Sequence, residues 1–463
     1  MHHDFRGVRD AKGLTPEARA QMGALIDEFE RHNSKNRLKR RYFEQRVTVG
    51  ECNLGIALPR SLARFEMACC WPEKAVTVLK DRSIFDGYVA ADGTTPDLLA
   101  SIVRDNRLTS QYNKAVGDEL MHGVVFATLS AGGASGVTIR FHSGETAAGI
   151  WDGGAQRLAC GFAIMATERT MDGYDVPSVV NLYTDDAVGG MRRDGDRWRA
   201  EGHAQAMGRP LMVAMATEGG PTTRPLGRSR VSRSVRDLTR GYIRTMSLAT
   251  VALEFATSPQ KYLLGITDEQ YDALISDKFK AYMGSMLLAT RDENGDVPQF
   301  GQLTQGSITP HVEMLRSLAT QFAAATSLSV TDTGVVNDAN PTSADAVAAA
   351  NEKLIVRAQE LNRENGDALY TIALMAQAIA VNKPLDALTE SERAVMAKFQ
   401  NPAMPSVAST ADAAVKIASV DPSFGGTEVF YEMLGFDAPT IARIMAQRRR
   451  NVGNALLDGL VSA

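Results

Sequence analysis

Between Arg224 and Gln260 the chain reads RPLGRSRVSRSVRDLTRGYIRTMSLATVALEFATSPQ, a stretch that few architectures can house. From Ser229 to Phe255 it holds no proline and one glycine, Gly241, while Val231, Val235, Leu238, Tyr242 and Met246 recur every three or four residues. That is the stripe of an amphipathic helix. Pro225 and Gly227 mark its beginning and Ser258-Pro259 its end, because proline drives the preceding residue out of helical angles. At about 1.5 Å per residue the rod reaches roughly 40 Å, enough to cross a domain. Its polar side is cationic: Arg230, Arg233, Arg236, Arg240 and Arg244 face only Asp237. Arg236, Arg240 and Arg244 share one face at four-residue spacing, and like charges so placed repel. Two readings follow, a solvated face or a surface that meets an anion or acidic partner.

The rod divides the chain into unlike halves. Upstream, Thr15 and Pro16 cap a helix with Met22, Leu25, Ile26 and Phe29 on one side. It runs into a basic segment, Lys35, Arg37, Lys39, Arg40 and Arg41, read as a surface strip or a phosphate contact. A helix is expected over Arg60 to Cys70, stopped by Pro72, then a strand over Val76 to Val89 and one helix over Asp97 to Met121. From Gly123 to Ala216 the period changes to two. Apolar runs at 124–129, 137–141, 158–165, 179–183, 198–201 and 211–216 alternate with Gly132-Gly133, Asp152-Gly153-Gly154, Asp172-Gly173 and Asp194-Gly195. Hairpins of a mostly antiparallel sheet or small barrel follow, hence an α+β class.

Downstream nearly everything is helical. A short helix over 268–275 and a strand over 286–290 precede a polar stretch, Gln299 to Pro310. Helix returns over His311 to Ala325. Asn340-Pro341-Thr342-Ser343-Ala344-Asp345 is a capped start for some 35 residues of helix to Val381. Three or four short helices broken by prolines end the chain.

Composition sets the outer limits. With 463 residues, 44% apolar and 22% charged, the chain is an ordinary globular one of two or three domains. Its net charge of -4 gives no bulk attraction to nucleic acid. Cys52, Cys69, Cys70 and Cys160 have no metal-ligand or C-x-x-C spacing, and reduced thiols in a cytosolic compartment are expected. No signal peptide or membrane span is read.

Catalytic signatures are sparse. Phosphate-loop, dinucleotide-fold, nucleophile-elbow and zinc-protease motifs are absent. Gly132 to Gly136 reads as a hairpin turn before it reads as a phosphate cradle, and Asp185-Asp186 as an exposed turn. His122 and His311 stand at helix ends as structural residues. A non-enzyme without metal or cofactor is expected.

The order of certain segments resembles the portal proteins of tailed double-stranded DNA bacteriophages, those of long-tailed actinobacteriophages in particular. The segments are Asp105-Asn106-Arg107-Leu108 with Asp118 to Gly123, Trp151-Asp152, Arg224 to Arg230 with Glu254-Phe255 and Ser258 to Tyr262, Gln299-Phe300 with His311 to Ala325, and Asn340 to Asp345. The resemblance implies a closed ring of twelve copies at one capsid vertex, which requires two different complementary faces on each subunit. It implies a wing over 1–228, a wing and stem helix over 229–257, a clip over 258–296, a second stem element with a tunnel loop over 297–332 and a helical crown over 333–463.

On that reading Gln302, Leu303, Thr304, Gln305, Ser307 and Thr309 form the loop along which double-stranded DNA slides without sequence specificity. Arg236, Arg240 and Arg244 pair with a neighbouring subunit or add positive potential to the channel. Asp268, Glu269, Asp272 and Asp277 dock the motor, the terminase large subunit. Head-tail adaptor and neck proteins, the major capsid protein and scaffolding protein are further implied partners. The place is the virion, after assembly in the host cytoplasm, with no membrane involved. Another head or neck protein, or an enzyme with a site in the 123–216 sheet, are the alternatives.

Overall fold

The computed structural model describes residues 7–52, 66–171, 173–195, 197–205, 207–257, 261–264, 299–302, 307–334, 344–403, 407–436 and 438–461. They form an α+β protein with two contact units, Met1–Gln400 and Asn401–Ala463.

The first unit begins with α1 (Pro16–Phe43), where the extended Thr15 accepts a hydrogen bond from the Ala18 amide and Pro16 occupies the first turn. After α2 (Val49–Cys52), α3 spans Trp71–Lys80 and β1 Phe85–Ala90. Of the strand expected over 76–89, residues 76–80 are therefore helix and only 85–89 are strand. Its β-branched run reads as extended, but Trp71, Ala75, Val76 and Leu79 fall on one buried helical face, and that burial outweighs propensity. Pro72 opens this helix instead of stopping one, since a first-turn residue needs no amide donor. Of the helix expected over Arg60 to Cys70, residues 66–70 are not helical and the rest lies outside the described residues.

The single helix expected over 97–121 is two, α4 (Asp97–Asp105) and α5 (Leu108–His122). Arg107 at φ 50° breaks them apart. The break is used: the Asn106 amide donates to the carbonyls of Ile102 and Val137 and accepts from the Ile139 amide at 2.8 Å, pinning the next sheet.

Eight strands follow: β2 (Val124–Ala131), β3 (Val137–Ser143), β4 (Ala147–Asp152), β5 (Arg157–Arg169), β6 (Asp175–Tyr183), β7 (Ala187–Asp194), β8 (Arg197–Gln205) and β9 (Met212–Ala216). They make a three-stranded sheet ordered β3-β2-β9 and a five-stranded antiparallel meander, β4 to β8. The glycine turns sit where period two placed them, at the hairpin ends. Strands β4 and β7 escape the sequence reading because Ala147-Ala148-Gly149 and Gly189-Gly190 lack strand-forming side chains. Their smallness serves packing instead: a Cβ on Gly149 would meet Leu158 Cδ2 at 2.8 Å. Helix α1 lays Met22, Leu25, Ile26 and Phe29 on the meander against Phe162, Ile164, Val180 and Leu182. Phe29 and Phe162 meet edge-on at 5.5 Å.

The long rod is α6 (Arg233–Thr257), led in by Ser232, whose hydroxyl accepts from the Val235 amide. It continues to β10 (Lys261–Leu264), which pairs antiparallel with β11 (Gln299–Gln302), and the chain returns as α7 (Thr309–Thr326) packed along α6. Gly241 permits the close approach, since a Cβ there would stand 3.2 Å from Leu318 Cδ2. The Trp71 ring is wedged between Tyr242 at 4.7 Å and Phe322 at 5.0 Å, tying α3 to both helices.

Helix α8 (Ala344–Ala380) buries Leu354, Leu361, Leu369, Ile372 and Ala376 in the main core. After α9 (Glu390–Arg393), β12 (Val395–Phe399) pairs with β1, a strand missing from the sequence reading because five residues between helices give too short a period. By contacts, residues 344–400 thus go with the sheets.

The second unit comprises α10 (Val407–Val420), α11 (Glu428–Met433) and α12 (Ala438–Val461). Arg448 donates to the Gly425 carbonyl and the Tyr431 hydroxyl, and Phe424 packs edge-on against Phe430. No described helix is long and apolar enough to cross a membrane.

Candidate functional site

The arginines that share a stripe in sequence have four different fates in space. Arg230 lies before the helix and is buried: Nε donates to the Ala75 carbonyl at 2.7 Å, Nη1 to Glu218 at 2.9 Å and Nη2 to the Thr326 carbonyl. It joins α3, the 218 loop and the end of α7. Arg236 donates to the Val231 carbonyl at 2.9 Å. Asp237 is shared, with Arg240 donating to Oδ1 and Arg233 at 3.7 Å from Oδ2. Arg244, further along, has no carboxylate within ion-pair distance among the described residues.

The root of this helix is a tight junction. Ser229 Oγ donates to the Met121 carbonyl, the Arg230 amide to the Leu120 carbonyl at 2.8 Å, and the Arg228 amide to the Thr217 carbonyl at 2.9 Å. Gly227, at φ 74°, lies against the Gly123 carbonyl so closely that a Cβ would overlap it. Only glycine meets both conditions.

Beside that root the two basic stretches of the sequence come together. A cleft of about 740 Å³ opens between α1 and residues 223–236, with β4 along its floor. Lys35 and Lys39 border it from α1, and Arg224, Arg228, Arg233 and Arg236 from the other wall. Lys39 donates to the His122 carbonyl at 2.8 Å and to Asn36. Burial, then Arg236 and Lys35, pull its amine down to about 8. His122 beneath is held neutral, its pKa pushed to about 3 by burial, then by Lys39 and Arg40. Nothing in the sequence joined residues 31–41 to 224–244. The pairing of α1 with the helix root is a tertiary event without a local signal.

On α5, Glu119 is fully buried and accepts from Asn365 at 2.8 Å, while Asn365 also donates to Tyr112. Burial pushes the Glu119 carboxyl up to about 8. Asp185 forms a two-pronged pair with Arg157, at 3.0 and 3.3 Å, as a surface turn residue. The four cysteines are free thiols. Among the described residues, no group of three or more His, Cys, Asp or Glu is arranged to hold a metal ion.

Of the expected tunnel loop, Gln302 ends β11 opposite Lys261, Ser307 accepts from the Thr309 amide at 3.2 Å, and Thr309 opens α7. Leu303, Thr304 and Gln305 lie outside the described residues. So do Asp268, Glu269, Asp272 and Asp277, the strand over 286–290, and most of the capped start at 340–345.

No family model matches the chain. The portal protein of Mycobacterium phage L5 is 25% identical over 378 residues, which cover 79% of this chain and 75% of that protein. The portal protein of Mycobacterium phage D29 is 28% identical over 194 residues, 41% of this chain and 38% of that protein. Among solved structures, a chain from the neck of an empty gene transfer agent particle, computed with C6 symmetry, superposes with a TM-score of 0.47 at 14% identity over 76% of this chain and 86% of that one. A chain from the virion of a native gene transfer agent particle gives a TM-score of 0.46 at 14% identity, over 79% and 90%. The resemblance to portal proteins of actinobacteriophages is borne out by direct comparison: the chain is similar to the portal proteins of mycobacteriophages L5 and D29.

Proposed function

We propose that this chain is a portal subunit: copies of it close into a ring at one capsid vertex and form the channel through which double-stranded DNA is packaged and ejected. One observation carries the reading, the 25% identity to the L5 portal protein sustained over 79% of this chain. The role is structural and not catalytic. Twelve subunits, the terminase large subunit at the clip, neck proteins after packaging, and capsid and scaffolding proteins at the wing belong to the same reading. So do the virion as its place and the host cytoplasm as its place of assembly.

The out-and-back path of α6 and α7, with the β10/β11 ribbon between them, supports assigning 229–257 and 297–332 to a stem and 258–296 to a clip. The wing would be 1–228 and the crown 333–463. A conduit must not grip its cargo, because every neutralised phosphate adds salt-dependent affinity. An uncharged loop of Gln302, Leu303, Thr304, Gln305, Ser307 and Thr309 meets that demand. Arg244 is free to meet a neighbouring subunit's carboxylate, whereas Arg240 already has Asp237. Asp268, Glu269, Asp272 and Asp277 give the clip an acidic face for the motor.

The test is deletion of Leu303 to Thr309 in the phage. Rings and procapsids are expected to form at near-normal yield while packaged or retained DNA falls several-fold. Full DNA content in the deletion would remove this loop from the channel.

A further inference from the structure

The cleft beside the helix root has the make-up of a docking site, and the guiding of DNA proposed above does not use it. Its rim is cationic from both sides, through Lys35, Lys39, Arg224, Arg228, Arg233 and Arg236. Among the described residues one carboxylate lines it, Glu28, and it is already paired with Arg31 at 2.8 Å and His32 at 3.0 Å. Its floor is apolar, built from Phe29, Val124, Phe126, Leu226 and the Ala147 to Trp151 strand. Trp151 and His122 line it, and their ring nitrogens Nε1 and Nδ1 are buried without a hydrogen-bond partner. The His122 side chain is only 2% exposed. Buried polar atoms are rarely left so, and an unused donor above an apolar floor calls for an acceptor brought in with apolar groups.

A duplex brings phosphates on a rigid convex rod and nothing to lay on that floor. An extended peptide brings both, and a volume of about 740 Å³ lies within the usual range for enclosed ligands. We propose that the cleft docks an acidic peptide segment carrying large apolar side chains, donated by a partner chain. Its carboxylates pair with the basic rim and one reaches Trp151 Nε1, while its apolar side chains cover Phe126 and Leu226. This proposal is independent of the portal reading, since it uses only the local chemistry of α1, β4 and residues 223–236.

The probe is a fluorescein-labelled peptide, Asp-Asp-Leu-Asp-Phe-Asp-Asp, titrated against the full chain by anisotropy at low salt. Lys35 and Arg233 are exposed, and the double variant Lys35→Glu/Arg233→Glu is expected to fold normally and to weaken binding on the order of tenfold or more. Trp151→Phe, which removes only the N–H, is expected to weaken it a few-fold. A control peptide with Ser in place of Leu and Phe should bind more weakly than the probe. Equal binding of the probe to wild type and the double variant overturns the proposal. So does equal binding of the Ser control, or stronger competition by a short DNA duplex than by unlabelled probe.

Discussion

Arg230, just ahead of the long helix, and the arginines along the helix's first half are the same residue type on one continuous stretch, yet they differ in everything that gives an arginine its role. At the root, Arg230 is 7% exposed and each part of its guanidinium is committed to a carbonyl or to Glu218. Burial lowers its pKa, and the partners that surround it hold the charge in place. Further out, Arg240 and Arg233 share one exposed carboxylate, and Arg244 has none among the described residues. A buried, fully bonded cation fixes how elements meet, whereas an exposed one is available to another molecule. Arg230 is therefore architecture, and the arginines along the first half of the helix are available to a partner.

The sharpest way to break this contrast is at Arg230. Arg230→Ala strands the interior carbonyls of Ala75 and Thr326 together with the part-buried Glu218, and is expected to cost about 3–5 kcal/mol of unfolding free energy, read from urea denaturation. A loss below about 0.5 kcal/mol would mean the root is no more fixed than the surface.

Next in size is the seat beneath the root, where α5 presents Glu119 to Asn365. Its folded pKa of about 8 lies above the ordinary 4.5, so the folded state holds a proton that the unfolded chain releases. The stability this provides is complete below about pH 4.5 and is lost as pH rises toward 8. Glu119→Gln should flatten that slope and leave the variant more stable than wild type at pH 8, by on the order of 2–4 kcal/mol. Parallel melting profiles for the two proteins from pH 5 to pH 8 would contradict it.

The smallest effect on folding is expected at Arg244. Arg244→Ala should change stability by less than about 0.5 kcal/mol, since this part-buried side chain has no ion-pair partner among the described residues to lose. If this arginine meets a neighbouring subunit, ring yield falls all the same. Unchanged ring yield would return it to the solvated face that the sequence also allowed.

How much of this was legible beforehand follows from where each signal resides. Helix α6 and the cap at Thr15 were readable because periodicity and capping are local, and the glycine-bounded hairpins for the same reason. The helical state of Ala75 to Leu79 was not, since its β-branched residues favour extended chain until Trp71 and Leu79 are buried together. Strands β4 and β7 are made of residues chosen for thinness, which carry no strand signal. Within the arginine series one clue set Arg230 apart, and Arg233 with it: both fall outside the Arg236, Arg240 and Arg244 face. The two basic stretches were legible one by one, but their meeting in a cleft had no local sign, because its walls come from opposite ends of the first 236 residues.

The most direct measurement of the central claim is end-on electron microscopy of the purified full chain, concentrated and with scaffolding protein supplied. Closed rings with a central opening wide enough for a DNA duplex are expected. Compact particles without an opening under every condition, together with normal DNA-filled phage in its absence, would contradict it.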